Sequence, residues 1–170
     1  GSIDLTDDGA NGNHLRINLN SLATAKATTA LLQNLLFQNT SDAPAASRQI
    51  TVSVDDGDGA SSAPIAQSIT VTPVNDAPVL ASIEAAALAY TENDPATAIT
   101  GTLTVSDADS ANMASATVSI SANYINGEDV LAFTDTANIT GAWNAATGVL
   151  TLSGADTVAT YQAALHAVTY

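Results

Sequence analysis

Carboxylates are the reactive stock of this chain. Its 170 residues include 17 Asp and Glu against three Lys and Arg, and no cysteine. Fourteen of the acids are Asp; only Glu84, Glu92 and Glu128 are Glu. They fall in short groups: Asp55, Asp56 and Asp58 in DDGDG, then Asn75-Asp76, Glu92 with Asp94, and Asp107 with Asp109 at i, i+2. Carboxylates this close repel one another unless water or a cation lies between them. An oxygen-rich, thiol-free donor set suits a hard ion, and Ca²⁺ takes about six to eight oxygen ligands. For DDGDG the plain alternative is a solvated hairpin loop, where Asp and Gly are expected in any case. It is not an EF-hand, because no Glu stands at the twelfth loop position from Asp55 or Asp56. Asp4, Asp7 and Asp8, and the pair Glu128-Asp129, read as solvated loops.

Other chemistry has little to stand on. His14 and His166 are the only histidines and sit in unlike contexts. No nucleophile elbow, phosphate loop or zinc-protease motif occurs. Paired carboxylates can hydrolyse glycosides, but acids at the ends of alternating strands fit ion binding better, so no enzyme activity is expected. Trp143 and Tyr124 could stack on a sugar, although a single Trp in a β protein is more often core. The formal net charge of −14 repels polyphosphate and anionic lipid, which argues against nucleic acid and membrane surfaces. No apolar run is long enough to span a bilayer. No signal-peptide pattern is present either, so an export address is expected outside these residues.

The acids need elements to position them. Asp prefers turns and caps where Glu prefers helix interiors, so an Asp-rich acidic chain points to β structure with acidic loops. Period-2 alternation recurs at Arg48–Asp55, Ser68–Val74, Thr102–Ser106 and Thr117–Ser121, and in shorter runs at Leu131/Phe133 and Leu150/Leu152. Residues 143–149, WNAATGV, read as a hairpin turn with Gly148 free to take positive φ. Ala23–Leu32 and Thr157–Leu165 carry helix-compatible spacing and are expected to be short helices.

Those two helical segments also match each other. Leu19 and Leu152, Leu32 and Leu165, and Phe37 and Tyr170 all stand 133 residues apart without a gap. The implication is a tandem repeat of about 130 residues, of which the chain holds about one and a quarter copies. The linker signal is PVNDAPVL, Pro73–Leu80, where two prolines bracket an acidic turn. Residues 1–77 are therefore expected to be the C-terminal part of one module and 78–170 the N-terminal part of the next.

The phrases ITVTPVNDAP at 69–78, YTENDPAT at 90–97, LTVSDADS at 103–110, YINGEDVLAF at 124–133 and the ending YQAALHAVTY occur in that order. Together they resemble the bacterial cadherin-like repeats of giant surface adhesins: RTX-type, biofilm-associated and rhizobial adhering proteins. The QNTSDAP phrase at 38–44, after Phe37, also resembles the phrase that succeeds the VTY ending in that family. The resemblance implies an all-β, cadherin-like (Ig-like) antiparallel β-sandwich with one or two short helices per copy. It further implies calcium near module junctions, type I secretion and a place at the bacterial cell surface. Carried over by position, Glu92, Asp107, Asp109 and Asp76 would converge on the ion, with Asn75 adding carbonyl oxygen. The linker lacks the longer acidic string of animal cadherins, so fewer ions, as few as one, would bind per junction.

The expected function is a calcium-rigidified extender and adhesion module supporting cell adhesion and biofilm formation. The alternative is a calcium-dependent lectin-like module that binds exopolysaccharide. Neighbouring repeats of the same chain are the expected partners. Because the second copy would lack its last strands, apolar faces would stay open, and either an incomplete fold or a strand-swapped homodimer is expected.

Overall fold

The computed structural model describes residues 2–9, 14–20 and 22–170. It is mostly β, with antiparallel sheets and two short helices, and it divides into two compact units, Gly1–Thr40 and Ser41–Tyr170.

In the first unit, β1 (Ser2–Asp8) and β2 (Leu15–Asn18) form a two-stranded antiparallel sheet followed by α1 (Ala25–Leu32). Thr24 caps the helix: its backbone is extended and its Oγ1 accepts from the Ala27 N–H at 3.3 Å. None of the α1 residues is buried, and Leu36 is 96% exposed.

The second unit opens with β3 (Ser47–Val52) and β4 (Ile65–Thr70), paired antiparallel from Ser47↔Thr70 to Val52↔Ile65. The alternation reaches Val74, but the strand stops at Thr70 because Pro73 has no N–H to offer and disfavours many conformations of Thr72. Then β5 (Val79–Ala81) pairs with β6 (Thr104–Ser106). A three-stranded sheet comes next, β7 (Asn112–Ser119), β8 (Thr140–Asn144) and β9 (Val149–Thr157), in the order β7-β9-β8, and α2 (Val158–His166) closes the run. The 143–149 hairpin forms as the sequence predicts: Gly148 N–H donates to the Asn144 carbonyl at 2.9 Å, with φ of 68°. Both predicted helices form. Leu131 and Phe133 do not make a strand; Ala132 between them makes a single bridge to Thr169.

The core lies where β9 and α2 face each other. Alternation puts Leu150 and Leu152 on one side of β9, and helical spacing puts Tyr161, Ala164 and Leu165 on one side of α2; all are buried, together with Leu131, Ile139 and Val168. Full burial of a Leu or Val side chain stabilises by about 1.5–3 kcal/mol. α2 is capped by Thr157, whose Oγ1 accepts from the Thr160 N–H at 3.2 Å. β9 carries a bulge: Gly154 and Ala155 oppose the single residue Ala114 between the pairs Met113↔Asp156 and Ser115↔Ser153.

After α2, residues 167–170 run between two flanking segments. Thr169 bridges Ala98 on one side and Ala132 on the other. Tyr170 meets Tyr90 edge-to-face at 5.1 Å and donates its hydroxyl to Asp129.

Candidate functional site

The linker between β4 and β5 meets the D-x-D turn through the register of the β5–β6 pair. Val79 stands opposite Ser106, Leu80 opposite Val105 and Ala81 opposite Thr104. Continued past the ladder, that register sets Asp76 opposite Asp109. The Asp76 N–H indeed donates to Asp109 Oδ2 at 3.2 Å, and Asn75 Nδ2 donates to the Asp76 carbonyl at 2.8 Å.

The D-x-D segment is itself a tight Asx turn. Asp107 Oδ1 accepts from the Ser110 N–H at 2.7 Å and the Asp109 N–H at 3.1 Å. Those donors, Ser110 first, hold the Asp107 carboxyl below its ordinary value despite some desolvation. The turn therefore presents ionised oxygen at the foot of β7, directly against the linker.

Glu92 goes elsewhere. It lies in the exposed turn 91–94, which closes through Asp94 N–H to the Thr91 carbonyl at 2.9 Å and Thr91 N–H to Asp94 Oδ2 at 3.3 Å. Asn93 takes φ of 70° at its tip. The structure thus brings Asp76, Asn75, Asp107 and Asp109 together and makes no bond from Glu92 to any of them. Among the described residues no three Asp, Glu or His side chains converge as a group able to hold a metal. Calcium at this junction would have to rest on the Asp107 and Asp109 carboxylates and draw its remaining oxygens from Asn75, backbone carbonyls and water.

The DDGDG loop joins β3 to β4 and is closed by its own amides. Asp55 Oδ1 accepts from Gly57 N–H at 2.7 Å and its Oδ2 from Ser61 Oγ–H at 2.9 Å. These two bonds lower its pKa, the Gly57 amide most. Asp56 Oδ1 accepts from Asp58 N–H at 3.0 Å and Ala60 N–H at 3.4 Å. An ion here would compete with these donors for the same oxygens. The side chains of Asp4, Asp7 and Asp8 lie outside the described residues.

One carboxylate that the sequence gives no reason to single out accepts the most hydrogen bonds among the described residues. Glu84 Oε1 accepts from Gly101 N–H at 2.7 Å and Thr102 N–H at 2.9 Å, and Oε2 from Thr100 Oγ–H at 2.7 Å. The Gly101 amide leads these in pulling its pKa down to about 2. This clamp explains why β6 starts at Thr104 rather than Thr102: the donors of 101 and 102 are turned to Glu84. It ties the segment after the linker to the segment before the D-x-D turn.

The remaining candidates are structural. His166 Nε2 donates to the Leu103 carbonyl at 2.6 Å, which places the proton on that nitrogen and the ring in packing. Trp143 is half-buried against the core and meets Tyr124 edge-to-face at 5.9 Å. No family model matches this chain, and no curated protein or solved structure matches it closely enough to establish a relationship.

Proposed function

We propose that this chain is a spacer segment of a large bacterial surface or secreted adhesin, built from cadherin-like (Ig-like) sandwich repeats whose junction is stiffened by Ca²⁺. The observation that carries the proposal is the seating of the linker on the D-x-D turn, with the Asp76 N–H on the Asp109 carboxylate. Beyond the short β5–β6 ladder the Asp76 N–H is the contact that seats the linker on the turn, and in a chain of net charge −14 it is easily loosened by the like charges beside it. A divalent ion shared by Asp107, Asp109 and the linker would remove that repulsion and fix the angle between modules. Secretion and adhesion, biofilm support included, rest on the family resemblance and stand or fall with it.

The tandem-repeat reading gains support from the element order. A strand pair followed by a short helix occurs twice, β1-β2-α1 and β8-β9-α2. The capping threonines Thr24 and Thr157 stand 133 residues apart, as do the helix starts Ala25 and Val158.

Calcium titration of the thermal transition tests the proposal. Modules of the extracellular type bind at about 10⁻⁴–10⁻³ M, so millimolar Ca²⁺ is expected to raise Tm, and Asp107→Asn/Asp109→Asn to abolish the rise. A Tm that ignores Ca²⁺, or a rise that the double substitution leaves intact, defeats the junction site. Saturable exopolysaccharide binding that a chelator abolishes would instead favour the lectin-like reading.

A further inference from the structure

Asp94–Pro95 is the one Asp-Pro step in the sequence, and the fold surrounds it with the groups that cleavage of a peptide bond would use. Residues 91–98 are exposed, so water reaches the bond. The Tyr90 hydroxyl donates to the Asp94 carbonyl oxygen, the oxygen of the bond to Pro95, at 2.7 Å. Asp94 Oδ2 accepts from the Thr91 N–H at 3.3 Å, while Oδ1 has no hydrogen-bond partner among the described residues. Both flanks are anchored on Tyr170. Its ring meets Tyr90 edge-to-face at 5.1 Å, and its N–H and carbonyl exchange bonds with those of Thr97 at 3.0 Å. Asn93, at φ of 70°, turns the chain so that residue 94 returns to Tyr90. The donor is thus in place before any reaction starts.

Proline decides which reaction is open. An Asp followed by any other residue can close a succinimide through the next N–H, and Pro95 has no N–H to offer. Its nitrogen is a tertiary amide, which accepts a proton more readily than an ordinary peptide nitrogen and so leaves more easily. What remains for the Asp94 carboxyl is attack on its own carbonyl carbon.

We propose that Asp94–Pro95 is a self-cleavage site, with Asp94 as the nucleophile and Tyr90 as the catalytic hydrogen-bond donor. Oδ1 bonds to the Asp94 carbonyl carbon, and negative charge develops on the oxygen that the Tyr90 hydroxyl already touches, where a donor gains most. The C–N bond to Pro95 then breaks and the carboxyl proton leaves with the proline nitrogen. The products are a cyclic anhydride on Asp94 and a free Pro95 amine. Water opens the anhydride, which restores the Asp94 side chain and leaves a new terminal carboxylate; one water is consumed and nothing is oxidised or reduced. The cut chain stays assembled, because the β5–β6 ladder and the Glu84 clamp on residues 100–102 both span the cut. None of Asp76, Asp107 or Asp109 takes part, so the reaction is independent of the calcium junction.

The test is incubation of the whole chain in EDTA at mildly acid pH, read by mass spectrometry under denaturing conditions. Fragments 1–94 and 95–170 are expected, with masses that sum to the parent plus one water, and size exclusion without denaturant should show them still together. The folded chain should cleave at least about fivefold faster than the same chain unfolded in urea at the same pH, roughly the worth of one hydrogen bond. Tyr90→Phe, which keeps a ring against Tyr170, should remove that advantage, and Asp94→Asn and Pro95→Ala should each abolish the cut. Circular dichroism checks that each variant keeps its fold; should Tyr90→Phe lose it, the comparison of folded with urea-unfolded parent decides alone. An intact 94–95 bond overturns the proposal. So does a folded chain that cleaves no faster than the unfolded one, a folded Tyr90→Phe that cleaves as fast as the parent, or a cut that survives Asp94→Asn.

Discussion

Thr100, Gly101 and Thr102 turn three donors onto one carboxylate, and that carboxylate is on the surface. Glu84 is held ionised down to about 2, against an ordinary 4.5. Its folded pKa lies below its unfolded one, so its stabilising contribution is complete above pH 4.5 and drains away as pH falls toward 2. Glu84→Ala is expected to lower Tm at neutral pH and to shrink the acid limb of the stability curve. The gap between variant and parent should narrow steadily below pH 4.5 and vanish near 2. A gap that stays constant to acid pH would mean that packing, not these bonds, is what Glu84 supplies. Asp107 and Asp129 shift in the same direction, Asp129 chiefly through the Tyr170 hydroxyl and the Ile125 amide, so an acid limb of reduced size persists in the variant. Nothing in the sequence marks Glu84. It stands in IEAAALA, which reads as helix-prone filler, and its three donors are 16 to 18 residues downstream. Asp107 and Asp109 are legible because a D-x-D turn is a local pattern; a clamp across that distance is a property of the fold.

Among the elements, β9 does the most to organise the second unit, because it pairs with both neighbours and lays Leu150 and Leu152 under α2. Its alternation is plain in the sequence, and so is the turn that precedes it. The bulge at Gly154 is not, since one extra residue leaves no mark on a period-2 pattern. Gly154 sits at φ of 129°, and a Cβ there would lie 1.8 Å from the Asn138 carbonyl oxygen. Its own carbonyl accepts from the buried Tyr161 hydroxyl at 2.5 Å, which couples the bulge to the helix. Gly154→Ala combines backbone strain with a clash against main chain, and is expected to cost on the order of 4 kcal/mol. Gly148→Ala also meets a close neighbour, but at 2.9 Å it is the Tyr124 ring, a side chain rather than main chain, although its hydroxyl is tied to the Ala145 carbonyl. Chemical denaturation should therefore rank Gly154→Ala well below Gly148→Ala; equal losses would show that the Asn138 segment yields as readily as a ring. β3 shows the opposite failure of the sequence reading. Alternation there predicts an inward Ile50, Val52 and Val54, but Ile50 and Val54 remain more than a third exposed, and among the described elements β3 packs only on β4. Periodicity identifies an apolar face without saying where its cover comes from.

Across the molecule, burial is distributed very unevenly. Among the described residues every side chain of the buried core lies between Leu131 and Val168, and the buried Thr100 is the one addition outside that span. Neither β2 nor α1 contributes any of them. Cooperative unfolding should accordingly belong to the second unit alone, since hydrophobic burial is the main driving force set against conformational entropy. A fragment of residues 41–170 is expected to keep the main thermal transition of the full chain, with Tm changed by no more than about 2–4 °C, the shift for roughly 1 kcal/mol in a domain of this size. Calorimetry on both chains checks it, and the enthalpy of the transition matters as much as its midpoint. If the fragment loses the transition, residues 1–40 supply cover that the core needs, and the two units are one folding body. If the transition survives, the shared strand-pair-and-helix order of β1-β2-α1 and β8-β9-α2 takes on a physical meaning. The same local pattern then forms a core only where Leu131, Ile139 and Val168 are present to close it, and otherwise remains an open face.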